Sequence, residues 1–242
     1  MKDVEIKRLA YELRLFGIYE NWNHRCVEAS AEGLTGEELL IRILEDEKQY
    51  RKNKYSKRLE TQARFRRESL LENWDISIDR GINKAKLREL ASMSFWISKK
   101  NLIIVGATGS GKTQLSIAVG RAACQMELSV LFLSVQNFFD EVRANKASGK
   151  FLPWIKKLKK YDIVVFDDFG LRAYTHEEAM IFVDIFEDRY RDKVHIINSQ
   201  VDVDGWKSLF EDPVAADALI DRMRHPSEKI KLVGGSYREK LS

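Results

Sequence analysis

The chain has 242 residues, enough for one large domain or a medium one with a smaller appendage. Its 44% hydrophobic and 32% charged residues describe a globular protein, and a net charge of +4 is too small to establish a nucleic-acid partner by itself. No apolar run approaches the roughly 20 residues that cross a bilayer, so no membrane contact is expected.

The N-terminus, MKDVEIKRLAYELRLF, mixes charge with apolar residues at helical spacing, unlike a signal peptide. Cys26 and Cys124 match no metal spacing, and a cytoplasmic protein with reduced thiols is expected. Residues 4 to 16 put Ile6, Leu9, Leu13 and Phe16 on one helical face, and a second helix is expected over 18 to 29. Thr35 and Glu38 form a T-x-x-E capping box ahead of Leu39, Leu40, Ile43 and Leu44. That helix runs into a basic stretch holding Lys48, Arg51, Lys52, Lys54, Lys57, Arg58, Arg64, Arg66 and Arg67 against the single acid Glu60. Such a block can neutralise DNA phosphates, form a solvated helix, or dock a protein, and its charges spread around more than one helix face. Residues 1 to 68 therefore read as a small all-α N-terminal domain. A connector over 69 to 82, with Trp74 and Gly81, opens the second domain, 69 to 242.

After a helix over 83 to 96 the texture changes. The short apolar runs Leu102–Val105, Val130–Leu133, Ile163–Phe166, Val194–Ile197 and Ile230–Val233 alternate with helical patterns. That alternation predicts an α/β domain with a parallel sheet covered on both faces. The first strand leads into Gly106-Ala107-Thr108-Gly109-Ser110-Gly111-Lys112-Thr113 and then a helix from Gln114 to Met126, matching G-x-x-x-x-G-K-[ST] in its strand–loop–helix setting. The glycines let consecutive N–H groups of residues 108 to 114 face phosphate oxygens at a helix N-terminus. Lys112 is expected to reach the β- and γ-phosphates, and Thr113 to ligate Mg²⁺.

Strand Ile163–Phe166 ends in Asp167-Asp168. Asp167 is the candidate Mg²⁺ ligand, and Asp168 the candidate for polarising the attacking water, standing where many such ATPases carry the longer Glu. An extra strand, Val130–Leu133, lies between the two motifs and no N-K-x-D signature follows, so ATP is favoured over GTP. Asn198, with Ser199 and Gln200 beyond it, ends the fourth strand where a group could hold the attacking water or the γ-phosphate. Arg222 in Asp221-Arg222-Met223-Arg224 is a candidate arginine finger, and Arg238 a candidate sensor of the γ-phosphate from the same subunit. A second basic set, Arg143, Lys146, Lys150, Lys156 and Lys157, follows the second strand. The four histidines read as surface or satisfied groups, and the five tryptophans as packing anchors.

Together these residues resemble the IstB-like branch of the AAA+ ATPases, transposition helpers of insertion sequences related to DnaC-type helicase loaders. The resemblance rests on Leu13–Gly17 (LRLFG), Leu39–Arg51, Asn101–Gly120, Val164–Leu171 (VVFDDFGL), Trp206, Asp217–Arg224 and Gly234–Arg238 (GGSYR). It implies a five-stranded AAA+ core, ATP with Mg²⁺ at a boundary between subunits, and head-to-tail homo-oligomers on double-stranded DNA that recruit a cognate transposase. It implies Lys112 and Thr113 as Walker A, Asp167 and Asp168 as Walker B, Asn198 as first sensor, Arg222 as a finger in trans and Arg238 as second sensor. Relatives tend to carry threonine, serine and asparagine at 198 to 200, which leaves open which residue there is the sensor. The short tail beyond Arg238 leads to the expectation of no helical lid. A helicase loader is the rival reading with the same ATP chemistry. A small-molecule kinase would need an arginine-bearing lid and an acceptor pocket instead.

Overall fold

The computed structural model describes residues 2 to 234. The candidate sensor Arg238 and the Gly235-Ser236-Tyr237 run before it lie outside the described residues. The chain divides into two compact units, one ending at Arg58 and the other beginning at Leu59.

The first unit is helical: α1 (Lys2–Glu12), α2 (Phe16–Glu32) and most of α3 (Gly36–Ala63). The continuous face expected over 4 to 16 is interrupted, because α1 stops at Glu12 and Arg14 takes the left-handed region at φ 58°. Leu9 and Leu13 stay exposed in consequence, while Phe16 opens α2 with its ring centroid 6.0 Å from that of Tyr50. Gly17 marks where α2 meets α3: a Cβ there would lie 2.6 Å from the Asp46 carbonyl oxygen. Its N–H donates to the buried Glu47 carboxylate at 2.8 Å, so the small residue permits the approach and the hydrogen bond follows from it. Arg25 reaches across to Asp46 through two 2.7 Å bonds. At the start of α3 the Thr35 N–H donates to Glu38 at 2.8 Å and the Glu38 N–H donates back to Thr35 Oγ1 at 3.2 Å, the reciprocal cap read from T-x-x-E.

The expected domain boundary at 68 moves to 58. Leu59 and Ala63, the apolar residues inside the basic stretch, pack in the core of the second unit with Phe65 against them. Burial of these residues, not the end of the charge run, sets the division.

The second unit holds five parallel strands: β1 (Asn101–Gly106), β2 (Val130–Ser134), β3 (Ile163–Phe169), β4 (Val194–Ser199) and β5 (Ser227–Leu232), in the order β2-β3-β4-β1-β5. Helices α4 (Lys84–Ala91), α5 (Ser94–Ile97), α6 (Lys112–Gln125), α7 (Val135–Ala147), α8 (Phe151–Lys160), α9 (His176–Asp188) and α10 (Pro213–Arg224) connect and cover them. The single helix expected over 83 to 96 is two, broken at Met93, whose φ is 55°. Strand residues alternate between two cores. Leu102, Ile104, Phe132 and Val165 enter one, whereas Ile103, Val105, Leu133 and Phe166 enter the other. Burial on both faces is why these runs are apolar at every position rather than at every second one. Among the described residues no helix is long and apolar enough to cross a membrane.

Candidate nucleotide-binding site

The site lies where β1, β3 and β4 end together. β1 passes at Gly106 into the loop, and α6 begins at Lys112 with Gly111 as its N-cap at φ 100°. That angle is open to glycine and strained for other residues. A Cβ on Gly111 would also stand 3.2 Å from both the Trp74 ring and the Arg80 guanidinium. The loop thus lies against Trp74 and Arg80, which stack at 4.5 Å. Lys112 is 7% exposed, and its ammonium donates to the Gly106 and Ala107 carbonyl oxygens at 2.8 and 2.9 Å. Burial pulls its pKa down, opposed by the charges of Asp167 and Asp168.

A bulge separates the two Walker B acids. Phe166 is in register with Ile197 and Phe169 with Ser199, so Asp167 and Asp168 together face the single residue Asn198. Asp168 takes φ 61°, a left-handed conformation that Asp tolerates better than most residues. Asp167 turns inward, 2% exposed, while Asp168 lines the cleft over the loop. A regular strand would have sent these side chains to opposite faces of the sheet.

Thr113 Oγ1 donates to Asp167, lying 3.0 and 3.1 Å from its two oxygens. Asn198 Nδ2 donates to Asp167 Oδ1 at 2.7 Å and to Ser116 Oγ at 2.8 Å. Burial pushes the Asp167 carboxyl above the usual range, more strongly than the Asn198 bond holds it down, and neighbouring Asp168 adds to the rise. Among the described residues no ion pair reaches Asp167. A buried carboxylate touching a hydroxyl and lacking a cation fits a hard divalent ion, which takes one or two protein oxygens and fills its shell with phosphates and water. Thr113 and Asp167 are the residues that would hold Mg²⁺.

The cleft has a volume of about 320 Å³. Thr108, Gly109, Gly111, Lys112, Thr113 and Gln114 line it. Ser110 faces inward instead, with its hydroxyl buried. Gln200 also lines the cleft, and its Oε1 accepts from Thr108 Oγ1 at 2.8 Å.

A family model for IstB-like ATP-binding proteins matches residues 8 to 242. The chain belongs to this family. An insertion sequence ATP-binding protein of Sinorhizobium fredii is 30% identical over 227 residues, covering 93% of this chain and 91% of the relative. Among solved structures, DnaI has a TM-score of 0.57 at 23% identity, covering 70% of this chain and 90% of its own. AMPPCP-bound DnaA from Aquifex aeolicus has a TM-score of 0.58 at 22% identity, covering 74% of this chain and 54% of its own. The fold is that of an AAA+ P-loop domain, and the family is ATP-binding.

Within this IstB-like fold the expected site residues separate. Lys112, Thr113, Asp167 and Asp168 converge. Asn198 is fully buried, and its amide orients Asp167 from behind. Of residues 198 to 200 it is Gln200 that lines the cleft, whereas the Asn198 side chain is buried against Asp167. Arg222 lies at the other end of the sheet. Its main-chain carbonyl accepts from Asn101, the first residue of β1, whereas Lys112 follows the last. The Arg222 side chain pairs with Glu187 and donates to the Ala218 carbonyl at 2.8 Å.

The basic sets also divide. Lys52, Lys54, Lys57 and Arg58 are exposed on α3. Arg64 pairs with Glu141, Arg66 donates to Ser134 Oγ at 3.1 Å, and Arg67 lines the nucleotide cleft with Glu68 and Ser69. Arg143 pairs with Asp140 and Lys146 with Glu177, while Lys150 is exposed. Arg67 belongs to the basic stretch with the candidate DNA contacts, Glu68 ends the first domain expected from sequence, and Ser69 opens the connector. No motif marks them, because the fold brings them over the loop: Ser69 Oγ donates to the Gln114 carbonyl at 3.0 Å.

Proposed function

We propose that the protein is a Mg²⁺-dependent ATPase that assembles head to tail on double-stranded DNA and recruits the transposase of an insertion sequence. One observation carries the shared-site part of this reading: Arg222 sits at the strand starts, a full β1 length from Lys112. A strand of 6 residues spans roughly 20 Å, beyond the reach of an arginine side chain. Arg222 therefore serves the phosphates of the next subunit. Heterologous contacts of this kind build rings or open helices, so ATP binding and assembly become one event.

Within a subunit the residues divide the work. The loop N–H groups and Lys112 bind the phosphates, and Thr113 with Asp167 would hold Mg²⁺, which would supply charge neutralisation to the triphosphate. Asp168, aimed into the cleft by the bulge, accepts a hydrogen bond from the attacking water and orients it. Arg222 of the neighbour meets the charge that develops on the transferred phosphoryl group. Hydrolysis then dissolves the boundary.

Arg222→Ala is expected to leave the affinity of a single subunit for an ATP analogue within about twofold while lowering DNA-stimulated turnover by roughly 10³-fold or more. Normal assembly and turnover by the variant would remove the trans role. For DNA, the exposed α3 residues Lys52, Lys54 and Arg58 are favoured over Arg143 and Lys146, which are already paired to acids. Neutralising each α3 residue is expected to lower the salt slope of duplex binding by about one. An unchanged slope moves the contact to Lys150, Lys156 and Lys157.

A further inference from the structure

Asn101, His195 and Arg189 form a buried polar chain at the strand starts that the ATP site does not use. Arg189 is fully buried and pairs with no carboxylate among the described residues. Its guanidinium donates to the carbonyls of Tyr161 at 2.7 Å, Lys159 at 3.0 Å and Val194 at 3.1 Å. The first two carbonyls lie at the C-terminal end of α8, where the helix dipole favours a cation. Its Nε donates to His195 Nε2 at 2.9 Å. An imidazole that accepts at Nε2 carries its proton at Nδ1, and that atom lies 3.2 Å from Asn101 Oδ1. The same Oδ1 accepts the His195 main-chain N–H at 2.9 Å. Burial and the Arg189 charge hold the His195 pKa well below its usual value, so the ring stays neutral and this tautomer is kept. Burial likewise pulls Arg189 down to about 9.

With Oδ1 committed to His195, the Asn101 amide can point only one way. Its Nδ2 donates to the carbonyls of Arg222 at 3.2 Å and Met223 at 3.1 Å. These are among the last four carbonyls of α10, which have no partner within the helix. The segment that supplies Arg189 and His195 also supplies Glu187, the acid paired with the Arg222 side chain. Arg222 is thus held twice from one stretch of chain, by its main chain through His195 and Asn101, and by its guanidinium through Glu187.

We propose that Asn101 is a positioning residue for Arg222, fixing the end of α10 so that the guanidinium is presented to the nucleotide of the next subunit. This inference rests on the trans role of Arg222. It adds that β1 is attached at one end to the phosphate loop of its own subunit and at the other to the arginine that serves its neighbour. β4 runs beside it in the same way, from His195 at its start to Asn198 against Asp167.

The test is Asn101→Asp, which keeps an acceptor for His195 and replaces the donor facing the two α10 carbonyls by a second acceptor. Three quantities are read: ATP-analogue affinity of the single subunit, DNA-stimulated turnover, and turnover after mixing with Lys112→Ala subunits, whose fingers are intact. Turnover is expected to fall about 10- to 100-fold, the cost of a reacting group misplaced by about an ångström. Affinity should stay within about twofold, and mixing should restore turnover several-fold, because the Lys112→Ala neighbour supplies a well-held Arg222. Asn101→Ser, uncharged and too short to reach α10, serves if the Asp variant does not fold.

Normal turnover in the folded variant overturns the proposal. So does a loss of affinity in step with turnover, which would mark general damage to β1. Arg222→Ala mixed with Lys112→Ala is the parallel control. If that mixture recovers and the Asn101→Asp mixture does not, the positioning role fails alone. If neither recovers, the trans role of Arg222 fails and takes the positioning role with it.

Discussion

Lys112→Ala is expected to weaken ATP binding by between about thirtyfold and a few thousandfold, the range set by truncating one partner of a desolvated charge pair. The ammonium is buried and satisfied by two carbonyl oxygens of its own loop, Gly106 and Ala107. Those neutral acceptors suffice to hold a cation in place, and burial lowers its pKa, so the site gains on meeting a phosphate charge. Turnover and ATP-dependent assembly should disappear together, since both need the bound triphosphate. The melting temperature of the nucleotide-free variant serves as the control and should not fall, because the substitution removes a buried charge. Nucleotide titration against the unsubstituted chain decides the matter. Affinity within about twofold would mean that the loop N–H groups alone carry the phosphates.

Much of this site was legible in the sequence because its chemistry needs fixed residue types at short spacing. The loop from Gly106 to Thr113 and the acids after Ile163–Phe166 announce themselves before any fold is known. The five strands were legible for a related reason: burial on both faces leaves uninterrupted apolar runs. Other features depend on contacts between distant segments, and local pattern carries no signal for them. Arg67 looked like one more charge in a basic stretch, and only the burial of Leu59 and Ala63 in the second unit brings the following segment over the loop. Asn198 occupied the position of a sensor at a strand end. The bulge sets Asp167 and Asp168 together opposite Asn198, and a bulge leaves no mark in VVFDDFG. His195 read correctly as a satisfied histidine, yet its partners Arg189 and Asn101 stand apart from one another in the chain. The break at Arg14 shows the same limit at short range: apolar spacing over 4 to 16 continued past a residue where the backbone did not.

The adjacent acids give the second large effect, and opposite consequences are expected from the same substitution at each. Asp168→Asn should lower turnover by roughly 10²- to 10⁴-fold, the usual scale for removing a group that accepts a proton or orients water. It should leave ATP affinity nearly unchanged and the backbone undisturbed, since Asn tolerates the left-handed region at φ 61° at least as well as Asp. Asp167→Asn should abolish Mg²⁺-dependent binding and yet stabilise the nucleotide-free protein. The carboxylate there is 2% exposed, with a pKa raised chiefly by burial. Its folded pKa lies above the unfolded one, so ionisation costs stability as pH rises through the unfolded value, and the cost fades as pH falls through the folded one. An amide of the same shape carries no such cost. A higher melting temperature than that of the unsubstituted chain is expected near neutral pH, and the gain should shrink toward acid pH. Mg²⁺ binding demands the ionised form, so metal affinity in the unsubstituted chain should decline in the same acid range. Thermal melts of both variants at two pH values, with and without Mg²⁺ and an ATP analogue, separate these outcomes. A destabilised Asp167→Asn protein would mean that the charge supports the fold rather than the metal.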